Sequence, residues 1–230
     1  KKTRQQLALA QSLEQPEADP SEPGPLTRES PRVRDLEAAV EAYIKDLRRK
    51  GRISKDERTG WPVYDFTTGE KLVTINEEIQ FQAASLIKPF IAAAFFDRVE
   101  GKELIYGPKS RRHMERMIHY SNNPSTNWVM RQVGGPRAVQ RILEQNYPGI
   151  FRATSIVEYI PAGGRTYRNK AAARDYSRFL YALREGKIAG ARGVKRLMCL
   201  PGPGRVFTGA EVVPRGSRGL TETGSAGGRG

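Results

Sequence analysis

Apolar side chains recur at helical spacing through Val33, Leu36, Val40, Tyr43, Ile44 and Leu47. This period predicts an amphipathic helix, entered through Ser30 as N-cap with Pro31 in its first turn and ended by Gly51. The pattern then changes. Val63 to Phe66 and Lys71 to Ile75 read as two strands joined by a turn at Thr67 to Glu70, where Gly69 supplies the permissive backbone. From Ser85 the chain is helical again and apolar on nearly every face, through Leu86, Ile87, Phe90, Ile91, Ala92 to Ala94, Phe95 and Phe96. A helix of that kind is buried. Further helices are predicted near 110–119, 125–133, 136–146, 170–185 and 190–198. Helix, strands, helices and a last short strand make an α+β layered domain. Residues 1–29 are polar and rich in Pro, Glu and Gln, and read as a flexible lead-in. Residues 30–230 form the domain, and no internal repeat is visible.

Composition changes that picture little. At 230 residues and 38% hydrophobic, the chain has the length and apolar content for one domain with a sizeable core. The net charge of +14 invites a nucleic-acid reading. The arginines, however, are scattered from Arg32 to Arg229 without a stripe or a nucleic-acid motif, so no nucleic-acid partner is expected. The charge instead suits a cationic surface facing an anionic cell envelope. Cys199 is the single cysteine, which excludes an internal disulfide and predicts a small buried hydrophobe. No run of about 18 apolar residues offers a membrane span. The chain starts at Lys1 rather than Met, which leads us to expect an upstream leader and an exported protein, working as a monomer.

The chemistry centres on "FQAASLIKPF", where Ser85 and Lys88 stand as S-x-x-K at a helix start. Residues i and i+3 share a face there, so the amine reaches the hydroxyl. Burial would favour the neutral amine as a base for an otherwise weak nucleophile. The helix N-terminus adds free N–H groups where an oxyanion would form. The spacing alone equally fits a serine N-cap beside an unrelated lysine. His113 and His119, at i and i+6 of one helix, do not converge on a metal and read as solvated or packed. Trp61, Tyr64 and Trp128 read as core or groove aromatics. Neither a metal nor a cofactor is expected. "VVPRGS" at 212–217 reads as a cleavable Pro/Gly loop.

Two later segments alter the weighing. "HYSNNPSTNWVM" holds Ser121, Asn122, Asn123 and Asn127, and "TETGS" holds Glu222, Thr223, Gly224 and Ser225. In order, the three segments resemble the S-x-x-K, S-D-N and K-T-G signatures of class A serine β-lactamases and the related penicillin-binding D,D-peptidases. The connecting text "TTGEKLVTINEEIQFQAASLIK" resembles that family's hairpin leading into its nucleophile helix, and the resemblance runs from about residue 33 to 227. It implies that α+β fold, an antiparallel sheet with a helical lobe, and an acyl-enzyme chemistry on β-lactams or peptidoglycan peptides. Ser85 would be the nucleophile, Lys88 its base or proton shuttle, and Ser121 the relay to the leaving nitrogen. Asn123 would bind the substrate amide and Thr223 its carboxylate, and the N–H groups of Ser85 and Ser225 would form the oxyanion hole.

The chain also departs from the pattern. Asn122 replaces the second-motif Asp, a mainly structural position where an amide still hydrogen-bonds. Glu222 replaces the third-motif Lys and would repel a substrate carboxylate, unless Arg215 or Arg218 compensates. At the deacylating glutamate of the class A enzymes stands Ala153 or Thr154, and Glu158 reads as a surface or loop-bracing carboxylate. Without that base an acyl-enzyme would persist. The reading is therefore a β-lactamase-like serine hydrolase with weak turnover. The alternatives are a penicillin-binding D,D-peptidase type or a catalytically dead cell-wall binder. Because only six residues follow Gly224, the family's C-terminal strands are expected to be missing from this chain.

Overall fold

A computed structural model describes residues 31–161 and 168–199. Helix α1 (Pro31–Arg49) leads into an antiparallel hairpin of β1 (Trp61–Asp65) and β2 (Glu70–Ile75). Trp61 pairs with Ile75 and Asp65 with Glu70, with one irregularity between Val63 and Tyr64. The Asp65 carboxylate accepts the Thr67 amide at 2.7 Å, an Asx turn that lets Gly69 take φ +73° and close the hairpin. Helix α1 packs on β2 and buries Ile44.

A short strand β3 (Gln80–Gln82) and a 3₁₀ turn (Ala84–Ile87) then feed α2 (Lys88–Glu100). Residues Lys88 to Phe96 are all buried, so α2 is the axis of the core. Phe90 sits at its centre, with ring centroids 4.8 Å from Phe151, 5.1 Å from Phe179 and 5.4 Å from Tyr176. Around α2 pack α3 (Pro108–His119), α4 (Asn123–Val133), α5 (Pro136–Asn146) and α7 (Ala191–Cys199). Proline occupies the first turn of α2 through α5, where its missing N–H has no helical partner to lose. The approach of α7 to α2 needs Gly190: at φ +62°, an added Cβ would lie 2.4 Å from Phe96 Cγ.

The predicted helix at 170–185 begins only at Ala173, as α6 (Ala173–Arg184). Lys170–Ala172 instead forms β4, antiparallel to β3, with Gln80 opposite Ala172 and Gln82 opposite Lys170. Two three-residue strands carry too little periodicity to be read alone, and the long-range pairing overrides helical preference there. The two small antiparallel sheets beside a helical lobe bear out the α+β expectation. Cys199 is a correction. It is exposed, because α7 turns Ala191, Val194 and Leu197 inward and position 199 falls off that face. Trp61, Tyr64 and Trp128 are half-buried. Among the described residues no helix is long and apolar enough to cross a membrane.

Because Phe90 carries the aromatic cluster beneath the head of α2, Phe90→Ala is expected to cost about 3–5 kcal/mol of stability in urea unfolding. A cost within experimental error would show that α2 is not the core axis.

Candidate active site

Ala84–Ile87 is a 3₁₀ turn rather than the first α-helical turn, and in that geometry residues three apart eclipse one another. Ser85 and Lys88 therefore stack on one side. Ser85 opens to solvent, while Lys88 at the head of α2 is only 2% exposed. The Lys88 Nζ donates to Ser85 Oγ at 3.0 Å, to Ser121 Oγ and the Ser121 carbonyl at 2.6 Å each, and to Asn123 Oδ1 at 3.1 Å. The two hydroxyls lie 2.7 Å apart. One amine thus touches both hydroxyls, which touch each other. A proton has a direct path between any two of the three atoms.

Two residues of this site are held in the left-handed region, Ala84 at φ +43° and Ser121 at φ +50°. Each such non-glycine residue costs roughly 1–2 kcal/mol, so surrounding contacts must enforce it. At Ala84 the Ala83 amide donates to the Asn169 carbonyl at 3.0 Å. Around Ser121 the Asn122 amide donates to the Arg116 carbonyl at 3.0 Å, and Thr126 Oγ1 donates to the Asn122 carbonyl at 2.9 Å. The Asn122 side chain caps α4, its Oδ1 accepting the Ser125 amide at 2.8 Å. That is the structural role expected of this position, done by an amide in place of a carboxylate.

The stretch 150–161 runs past α4 and is stitched down by side chains. Asn127 holds Ile160 twice, donating to its carbonyl at 2.7 Å and accepting its amide at 2.8 Å. Asn169, fully buried, accepts the amides of Val157 and Glu158 at 2.8 and 3.2 Å and donates to the Glu158 carbonyl at 3.0 Å. Asp175 Oδ2 accepts the Ala153 amide at 2.7 Å and the Thr154 hydroxyl at 2.8 Å. So at Ala153 and Thr154 the backbone and hydroxyl are bound to Asp175. The Glu158 carboxylate takes the Arg168 amide at 3.2 Å, as a loop brace would.

The structure brings Ser85, Lys88, Ser121 and Asn123 together. Glu222, Thr223, Gly224 and Ser225, with Arg215 and Arg218, lie outside the described residues. His113 is packed, its ring stacked on Trp128, and His119 lies beside Tyr120 with a buried Nε2. No cluster of residues able to hold a metal occurs among the described residues. Sequence reasoning missed Asn169 and Asp175. Both are polar residues bordering a short apolar stretch, with nothing local to reveal partners 11–22 positions away.

Burial pushes the Asp175 carboxyl above its ordinary 3.8, against the Thr154 and Ala153 hydrogen bonds and the Arg178 charge, which lower it. A raised folded value means stability that is full below the unfolded value and is lost as pH rises through the folded one. Asp175→Asn keeps a carbonyl acceptor and does not titrate. It is therefore expected to gain stability relative to the wild type as pH rises from 3.8 towards neutrality, measured by urea unfolding at several pH values. A pH-independent difference would contradict this.

No curated protein matches the chain. Solved structures do. A β-lactamase from Xanthomonas campestris pv. campestris is 17% identical with a TM-score of 0.59, over 71% of this chain and 69% of that one. The chromosome-encoded β-lactamase of Vibrio parahaemolyticus is 17% identical with a TM-score of 0.57, over 71% and 68%. A variant of PBP-A, solved as its acyl-enzyme complex with penicillin G, is 19% identical with a TM-score of 0.61, over 76% and 70%. At these identities the likeness establishes the fold. The profile of the Beta-lactamase enzyme family matches residues 39–106 and 109–200, most of the chain, and this protein belongs to that family.

Proposed function

We propose that this protein is a serine hydrolase acylated at Ser85 by β-lactams or related amides, and that it releases the acyl group slowly. The observation that carries the reading is the closed contact of Ser85 Oγ, Lys88 Nζ and Ser121 Oγ at 2.6–3.0 Å. Serine needs a partner that takes its proton as it attacks. In the reaction, Ser85 Oγ bonds to the substrate carbonyl carbon while its proton passes to the neutral Lys88 amine, directly or through Ser121. The tetrahedral intermediate collapses with cleavage of the C–N bond, and the Ser121 hydroxyl returns the proton to the leaving nitrogen. Asn123, already fixed by Lys88, presents its amide to the substrate.

Slow release follows from the stretch 150–161. Ala153 and Thr154 offer no carboxylate to activate water, and Glu158 is engaged with the Arg168 amide. The PBP-A variant solved as an acyl-enzyme complex with penicillin G supports the acylation half of this reading by analogy of fold. An exported setting, with peptidoglycan peptides as the natural amides, fits the cationic surface and is part of the proposal.

Intact-protein mass spectrometry after exposure to penicillin is expected to show one long-lived adduct, absent in Ser85→Ala. Lys88→Ala is expected to slow its formation about a hundred- to ten-thousandfold, the range for a removed acid–base group. Absence of any adduct on the wild type overturns the reading. Restoring the family's cation with Glu222→Lys is expected to speed acylation by carboxylate-bearing substrates about tenfold or more, since like charges oppose one another at contact. An unchanged or slower rate would show that position 222 does not meet the substrate carboxylate.

A further inference from the structure

The geometry at Ser121 is tied to α3 by one side chain outside the three motifs. The His113 ring lies flat on Trp128 of α4, centroids 4.2 Å apart and planes within 13°, with Nδ1 at 3.2 Å from Ser125 Oγ. Ser125 is 2% exposed, and its amide is the one that the Asn122 side chain caps. The first turn of α4 is thus held twice at one residue, by Asn122 through the backbone and by His113 through the hydroxyl. Ser121, strained at φ +50°, comes immediately before that cap. Loss of either hold gives the strained residue a route to relax.

We propose that neutral His113 is a positioning residue for Ser121: its Nδ1 accepts the Ser125 hydroxyl proton, and its protonation loosens the turn that presents Ser121 to Ser85 and Lys88. An imidazolium carries hydrogen on both ring nitrogens. Nδ1 would then donate to Ser125 Oγ, and the Ser125 proton would have to leave its acceptor in a buried site, where an unmet donor is costly. The surroundings oppose that charged form. Burial is the first cause holding the His113 imidazolium below the ordinary 6.5, followed by the charges of Lys109, Arg116 and Arg112. Among the described residues the charges acting on the ring are all on α3 itself. From α4 it meets Ser125 and Trp128, neither of which titrates here, while the neighbouring cation Arg196 on α7 acts on Tyr106. A depressed folded value gives stability that is present above 6.5 and lost as pH falls through the folded value.

The kinetic half of this inference rests on acylation at Ser85, and the structural half does not. Two readouts separate them across about pH 5–8, the window of a histidine. One is amide exchange by mass spectrometry in peptides covering residues 119–127, corrected for intrinsic rates. The other is the rate of labelling by a fluorescent penicillin. In the wild type, exchange is expected to rise and labelling to fall roughly three- to tenfold towards acid pH, the effect of one ordinary hydrogen bond. His113→Asn keeps an acceptor that does not titrate and is expected to hold the neutral-pH behaviour throughout. His113→Leu is expected to exchange fast and label slowly at every pH, with a thermal melt confirming that it is folded. A wild-type acid limb surviving in His113→Asn, or exchange that ignores His113→Leu, overturns the inference. If the wild type is never labelled, the Ser85 reading falls, and exchange alone decides the role of His113.

Discussion

Everything at this site depends on where Lys88 sits. It is the first residue of a helix whose next eight positions are also buried, and its side chain is buried with them at 2% exposure. Neighbouring oxygens meet that amine, those of Ser85, Ser121 and Asn123 among them. Buried without such oxygens the amine would be left with unmet hydrogen bonds, and the two hydroxyls that meet it also bond to each other at 2.7 Å. The apolar packing of α2 around Phe90 and the polar convergence above it are thus one structural device.

That convergence is held against local preference. Ala84 and Ser121 both adopt backbone angles that L-residues avoid, the first next to one hydroxyl residue and the second bearing the other hydroxyl. Relaxing either residue would rotate a hydroxyl away from Lys88. The contacts beside them are the Asn169 carbonyl for Ala83, from a distant part of the chain, and the nearby Arg116 carbonyl and Asn122 cap around Ser121. The site is therefore only as well formed as the packing of α3 on α4 and the pairing of β3 with β4.

This division explains what the sequence discloses. S-x-x-K is legible because three-residue spacing makes the contact local, and Ser121 is legible from its place in an ordered series of motifs. The long apolar helix and the hairpin are legible from period. The position of Cys199 was also within reach, since Ala191, Val194 and Leu197 define an inward face that excludes it. By contrast, Asn169, Asp175 and the pairing of Gln80–Gln82 with Lys170–Ala172 are consequences of tertiary approach. Nothing in the few residues around each reveals the partner. The same holds for His113, whose partners Ser125 and Trp128 lie on the next helix.

Under the proposed function, the stretch 150–161 is what separates formation of an acyl group from its release. Its anchors are the amides of Asn127 and Asn169, and a carboxylate, Asp175, turned towards the backbone and hydroxyl of Ala153 and Thr154. Each of these groups is engaged in holding the loop. Water activation needs a carboxylate with a lone pair left for water, on the side facing Ser85. Bracing and base catalysis compete for the same functional groups, and in the described stretch the geometry assigns them to bracing. The proton path among Ser85, Lys88 and Ser121 does not pass through that loop. On the proposed reading, attack at Ser85 therefore does not depend on the loop that governs hydrolysis of the acyl group.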